Sequence, residues 1–169
     1  MKDLEKKKKR KNINGSVITH ILKSDPYTSK WFQGYSTPDL PLPAIVRHKP
    51  ALIVLNTDKS TGPGEHWCVV IINKNECEFF DSYGQSPEYY DFDVRFYDLC
   101  NTIYYNEFQI QGDLPTCGHH CLFFSFHRAR GIPVKQIIQK YYSPTDLLKN
   151  DRMVFSFVQK INPIFASFV

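Results

Sequence analysis

The stretch His66-Trp67-Cys68-Val69-Val70-Ile71-Ile72-Asn73-Lys74-Asn75-Glu76-Cys77-Glu78-Phe79-Phe80-Asp81 reads as a β-hairpin. Two runs dense in β-branched and aromatic residues flank Asn73-Lys74-Asn75, a tight turn, so His66 to Ile72 forms one strand and Glu76 to Asp81 returns beside it. In an antiparallel pair the end of one strand lies beside the start of the other, so pairing alone carries Asp81 to His66. Immediately upstream, Asp58-Lys59-Ser60-Thr61-Gly62-Pro63-Gly64-Glu65 is turn chemistry throughout. Before that loop, Ala51 to Leu55 is a short apolar run ending at Asn56 and reads as a buried strand.

Working outward, Ser82 to Pro87 breaks the chain, and Pro87 is placed to open a helix through Tyr90, Val94, Phe96, Tyr97 and Cys100. Ile103 to Ile110 alternates as a strand does, and Gln111 to Thr116 is a loop. Cys117 to Arg130 reads as a buried helix, apolar almost all round and stopped by Gly131. Helices near 134–142 and 145–159 follow, with Ser143-Pro144 as cap and first-turn proline of the second. On the N-terminal side, Ser16 is placed to cap a short helix through Val17, Ile18, Ile21 and Leu22. From Ser24 to Pro50 the prolines 26, 38, 41, 43 and 50 and Gly34 imply a mostly irregular path. The order of elements gives an α+β class, a central mostly antiparallel sheet flanked by helices. Residues 1–15 read as a flexible arm and 16–169 as a single domain.

The 169 residues are 42% hydrophobic and 22% charged, with a net charge of +4, which excludes disorder over most of the length. The positive excess is local: Lys6, Lys7, Lys8, Lys9, Arg10 and Lys11 are contiguous. Such a run is a solvated arm, a nuclear address or a nucleic-acid patch. No apolar stretch approaches the ~18 residues of a membrane span. No apolar segment follows the N-terminal charges either, so synthesis in the cytosol is expected. The five cysteines, 68, 77, 100, 117 and 121, are odd in number. In a cytosolic chain that argues against a disulfide framework and for at least one free thiol.

Nucleophilic chemistry by a thiol needs a thiolate, a base, a group to orient the base, and donors for an oxyanion. Cys117, at the expected start of a helix, has amides and partial positive charge to stabilise a thiolate. Gly118 beside it would leave room for a substrate backbone. His66 opens a strand at the rim of the sheet, where a base can reach a neighbouring helix end. Asp81 is brought to it by the hairpin, although a plainer reading has Asp81 capping the Ser82-Tyr83-Gly84 turn. Gln111, six residues before Cys117, can aim a carboxamide at the same oxyanion. Cys117, His119, His120 and Cys121 form a competing set for zinc. Against it, His119 and His120 point away from one another on a helix, and no second pair has finger spacing.

Taken together, His66-Trp67, Phe79-Phe80-Asp81-Ser82-Tyr83-Gly84, Gln111-Gly112 and Thr116-Cys117-Gly118 resemble the adenovirus endopeptidase (adenain) family. More distantly they resemble the proteases that act on SUMO-like modifiers. Lys30-Trp31-Phe32-Gln33-Gly34-Tyr35, Asp39-Leu40-Pro41 and Ile53-Val54-Leu55-Asn56-Thr57 extend the likeness over roughly residues 16–130. The resemblance implies an adenain-like cysteine protease fold with Cys117 as nucleophile, His66 as base, Asp81 as orienting acid and Gln111 as oxyanion donor. It also implies viral structural precursors as substrates, cut near glycine, a monomeric enzyme, and a place in the virion and the host nucleus or cytoplasm. The chemistry needs no cofactor. In adenain a viral peptide linked by a disulfide, and DNA, switch the enzyme on. The resemblance puts the linking cysteine at Cys100 and non-specific DNA on the basic arm. The hairpin before Asp81 and the Gln-to-Cys loop are shorter than adenain's and approach the SUMO-protease pattern. An isopeptidase acting on host conjugates is therefore the alternative.

Overall fold

The computed structural model describes residues 13–40, 42, 46–92, 96 and 98–163; the basic run at 6–11 lies outside them. Among the described residues, five strands form one sheet in the order of the sequence. They are β1 (Phe32–Ser36), β2 (Ala51–Asn56), β3 (Trp67–Ile72), β4 (Glu76–Phe80) and β5 (Thr102–Tyr105). The helices are α1 (Gly15–Ser24), α2 (Cys117–Ala129), α3 (Val134–Tyr141) and α4 (Leu147–Ile161). The class is α+β, as expected. The central pairings β2/β3 and β3/β4 are antiparallel, while the outer pairings β1/β2 and β4/β5 are parallel.

Both faces of the sheet are covered, and strand alternation sorts the side chains between them. Leu52, Val54, Val69, Ile71 and Phe80 meet Ile18 and Leu22 of α1, Leu122 and Phe124 of α2, Ile137 of α3 and Val154 of α4. Phe80 and Phe124 stack with ring centroids 4.3 Å apart. On the opposite face Ile53, Leu55, Val70, Ile72 and Phe79 pack with Leu42, Phe92 and Phe96. All six residues of β2 are buried for this reason, each large apolar one contributing roughly 1.5–3 kcal/mol. This sheet rigidly holds the ends of β3 and β4, where the candidate chemistry lies.

Several local expectations change. β1 lies in the segment read as irregular: its register slips between Phe32 and Gly34, Gly34 has φ 129, and the slip hides the alternation. Helix α1 begins at Gly15 because the Asn14 side chain accepts from Val17 N, so Asn14 is the cap rather than Ser16. The segment starting at Pro87 makes one 3-10 turn, Pro87–Tyr90, closed by Asp91 in the left-handed region at φ 63; residues 93–95 and 97 lie outside the described set. β5 stops at Tyr105 because Asn106 turns to the end of β4. Helix α4 is capped by Asp146, which accepts from Lys149 N, and not by Ser143-Pro144.

Candidate active site

The β3/β4 ladder runs to Val69 opposite Phe80. One further step in that register sets Cys68 opposite Asp81, and alternation makes His66 a diagonal neighbour on the same side. The side chains follow this geometry. His66 Nε2 donates to Asp81 Oδ1 at 2.5 Å, and Cys68 Sγ donates to the same oxygen at 3.7 Å. Asp81 is fully buried, so its charge must be met by donors. Tyr83 N also donates to Oδ1, while Gln85 N and the Tyr90 hydroxyl donate to Oδ2. The Asp81 backbone is clamped from both sides by Asn106, which accepts from Asp81 N at 2.9 Å and donates to Asp81 O. The turn-capping reading of Asp81 and the base-orienting one therefore describe the same carboxylate. The His66 backbone is tied down by Thr57 N donating to its carbonyl at 2.9 Å, and Tyr83 lies 4.7 Å from its ring.

Cys117 is the first residue of α2, buried yet within interaction range of His66. Burial pulls the His66 pKa down, but the hydrogen bonds to Asp81 and Cys117 and their charges outweigh it, so it is pushed up to about 9. With Nε2 occupied by Asp81, Nδ1 is the ring nitrogen left for the sulfur. Thr116, at the N-cap position, makes no side-chain cap bond to the helix, so the first-turn amides are not capped by it. Cys68 and Cys121, which are in no disulfide, are pushed well up by burial. Gly118 has a different use from the one expected: a Cβ there would lie 2.6 Å from Ile13 Cγ1. Its missing side chain makes room for the segment leading into α1. The same segment covers Trp67, whose Nε1 donates to Ile13 O at 3.1 Å.

Gln111 is buried beside the end of β4. Its backbone N donates to Ser82 O at 3.0 Å, its Oε1 accepts from Ser82 Oγ at 2.6 Å, and its Nε2 donates to Leu114 O at 2.8 Å. A carboxamide nitrogen carries two hydrogens, so this bond fixes the group without exhausting its donors. His66 thus meets Asp81 and Cys117 where β3, β4 and the start of α2 come together, and Gln111 is bonded to Ser82, the residue after Asp81.

Cys100 does not join them. It forms a disulfide with Cys77, with Cα atoms 5.8 Å apart, where the odd number of cysteines argued against a disulfide framework; a link from Cys100 to a separate peptide would require this bond to open. The parallel β4/β5 register, which sets Cys77 opposite Ile103, brings the two together. The alternative zinc set also separates. His120 Nε2 donates to Asp151 at 3.0 Å, while the ring of His119 lies 5.4 Å from that of Phe155. Burial holds both imidazoles below the usual range, His119 at about 4. Among the described residues, His66, Cys68 and Asp81 are the group whose metal-capable atoms lie within 4.8 Å of one another; in the structure His66 and Cys68 both hydrogen-bond Asp81 Oδ1.

A groove of about 880 Å³ runs between α1 and the 58–65 loop, lined by Thr19, His20, Tyr35, Ser60, Glu65 and Trp67 among others. Glu65 and Trp67 flank His66 in sequence, so the groove reaches the margin of the site. Residues missed in the sequence are Asn106, Tyr90 and the Tyr83 and Gln85 amides. The Asp81-Ser82-Tyr83-Gly84 turn was the signal for the two amides, since a turn-capping Asp accepts from amides two residues on.

No family model matches the chain. A stretch of 38 residues is 50% identical to a cysteine protease of African swine fever virus (isolate Tick/Malawi/Lil 20-1/1983), covering 20% of this chain and 14% of that protein. A crystal structure of the African swine fever virus protease matches with a TM-score of 0.53 at 14% identity, over 85% of this chain and 66% of that one. The C-terminal Ulp1 protease domain, solved in complex with Smt3, the yeast orthologue of SUMO, gives a TM-score of 0.48 at 12% identity over 90% of this chain and 78% of that one. The chain has the α+β fold of the solved viral cysteine protease. It spans less than two thirds of that protease's length, and no helix among its described residues is long and apolar enough to cross a membrane.

Proposed function

We propose that the chain is a cysteine endopeptidase in which Cys117 attacks, His66 transfers the proton, Asp81 orients His66 and Gln111 helps hold the oxyanion. The observation that carries this reading is the His66 ring held by Asp81 at 2.5 Å on one nitrogen while interacting with Cys117. An imidazolium kept protonated by a carboxylate and a sulfur is the partner a thiolate needs. Attack on a peptide carbonyl forms a C–S bond and places charge on the carbonyl oxygen, which the Cys117 amide and the second Gln111 Nε2 hydrogen would receive. Collapse breaks the C–N bond as His66 gives its proton to the leaving amine. Water then gives a proton to His66 as it attacks the thioester, the C–S bond breaks to release the acid, and the thiolate–imidazolium pair is restored.

We assign the substrates to viral structural precursor polypeptides cut at glycine-containing sites, on the likeness to a viral cysteine protease. The groove beside Trp67 would take the acyl side of the chain. The six contiguous basic residues at 6–11 would favour polyanionic surfaces such as viral DNA. Brief iodoacetamide treatment of the native protein followed by peptide mapping should modify Cys117 ahead of Cys68 and Cys121 and abolish cleavage of glycine-containing polypeptides. Cys117→Ala should fold and cleave nothing. Full cleavage by that variant, or modification of Cys68 first, would overturn the assignment.

A further inference from the structure

The loop that carries Gln111 into Cys117 is held by a carboxylate from the C-terminal helix. Asp151, in the second turn of α4, is fully buried. Gly112 N donates to both its oxygens at 3.1 Å, Leu114 N to Oδ2 at 3.2 Å, and Thr116 Oγ1 to Oδ1 at 2.9 Å. His120 Nε2 completes the set at 3.0 Å. Tyr142 OH lies 3.3 Å from the other ring nitrogen of His120, which suits a neutral imidazole with its hydrogen on Nε2. Burial pushes the Asp151 carboxyl up, but His120, Gly112, Thr116 and Leu114 together hold it below the usual carboxylate range. The neighbouring residue, Asn150, grips the start of the same segment: its Nδ2 donates to Ile110 O at 2.9 Å.

These bonds converge on the backbone of one residue. Leu114 gives its N–H to Asp151, and its carbonyl accepts from Gln111 Nε2 at 2.8 Å and from Thr116 N at 2.8 Å. We propose that Asp151 is a positioning residue for the oxyanion side of the site: by fixing the Leu114 backbone and the Thr116 hydroxyl it aims the Gln111 carboxamide and the first amide of α2. This rests on the cysteine-protease reading. Asp151 reaches no reacting atom and acts through Gln111 and the loop. Thr116 gives its hydroxyl to Asp151 instead of capping α2, which keeps the helix N-terminus available to the oxyanion.

The test is a kinetic cycle on the full chain with a peptide substrate, using Asp151→Asn, which keeps the side-chain shape, and Thr116→Val, which removes one of the loop's bonds and buries no charge. Losing an oxyanion donor outright costs ~100–1,000-fold in kcat. A misaimed donor should cost less, so Asp151→Asn should lower kcat about 10–100-fold and Thr116→Val about 3–10-fold, with KM within about 2-fold. Iodoacetamide, whose reaction forms no oxyanion, should modify Cys117 at a rate within about 3-fold of the parent. In a Gln111→Ala background either substitution should cost clearly less than in the parent, because one of the two donors it aims is gone. An undiminished effect in that background, a rise in KM at constant kcat, or an equal loss in alkylation rate would overturn the proposal. Should Asp151→Asn fail to fold, Thr116→Val decides by the same criteria. A parent protein that neither cleaves nor shows a reactive Cys117 would end the protease reading as well; an active parent with unaffected variants would end only the role of Asp151.

Discussion

At His66 two effects oppose each other. Burial favours the neutral ring, whereas the Asp81 carboxylate and the Cys117 sulfur favour the cation, and they carry the pKa from 6.5 to about 9. A folded-state value above the unfolded one means the interaction stabilises fully below about pH 6.5 and is lost as pH rises through about 9, a contribution on the order of 3 kcal/mol. Denaturant midpoints should therefore fall between pH 7 and pH 9.5, and the profile of kcat/KM should carry an alkaline limb near 9, where His66 would lose the proton that the proposed reaction gives the leaving amine. Asp81→Asn removes the largest single support, the hydrogen bond to the carboxylate. In that variant the His66 resonance, followed by NMR, should titrate well below 9, and kcat/KM should fall ~100–10,000-fold as the ring loses its tautomer and orientation. A His66 titration unchanged by Asp81→Asn would mean that Cys117 alone holds the proton, contrary to the hydrogen bond to Asp81 being the strongest single effect that raises it.

Between residue and fold stands the turn after β4, which connects the carboxylate to its donors. Gly84 has φ 72, and a Cβ on it would lie 2.5 Å from the carbonyl carbon of Phe108. Gly84→Ala should thus cost roughly 1–3 kcal/mol from backbone strain alone. By shifting the Tyr83 and Gln85 amides away from Asp81, it should also lower the His66 pKa and kcat together. Loss of stability with both of these unchanged would show that the amides do not matter to the dyad. The hairpin that makes this arrangement was legible because turn chemistry sits between two runs of β-formers, and α2 was legible because its apolar length and Gly131 mark it. β1 was not, since a parallel strand with a register slip leaves no local alternation. Asn106 and Asp151 were not either: Asn106 bonds Asp81 across 25 residues and Asp151 bonds Gly112 across 39, and a polar residue in an irregular segment or within a helix carries no sequence mark of such a partner. Composition likewise fails to place Cys77 with Cys100, because the pairing depends on the β4/β5 register and not on the number of cysteines.

The disulfide and the dyad occupy different parts of the molecule, and their independence is testable. Cys77 and Cys100 are in the apolar layer with Ile53, Val70, Phe92 and Phe96, whereas α2, which starts at Cys117, packs on the opposite layer with Leu52, Val69 and Phe80. The bond joins β4 to the segment entering β5 and closes a loop with a sequence separation of 23. A cross-link of that span stabilises by about 3 kcal/mol, chiefly by restricting the unfolded chain. Alkylation in denaturant without reductant should modify three cysteines, 68, 117 and 121, and after reduction all five. The Cys77→Ser/Cys100→Ser double variant should lose that stability while kcat stays within about 3-fold of the parent, because β3 is fixed against β4 by its own ladder. Modification of all five thiols before reduction would remove the cross-link from the native chain. If instead kcat collapsed in a folded double variant, the end of β4 would depend on β5 for its position, and the Asn106 clamp on Asp81, one residue beyond β5, would be the route by which the two layers communicate.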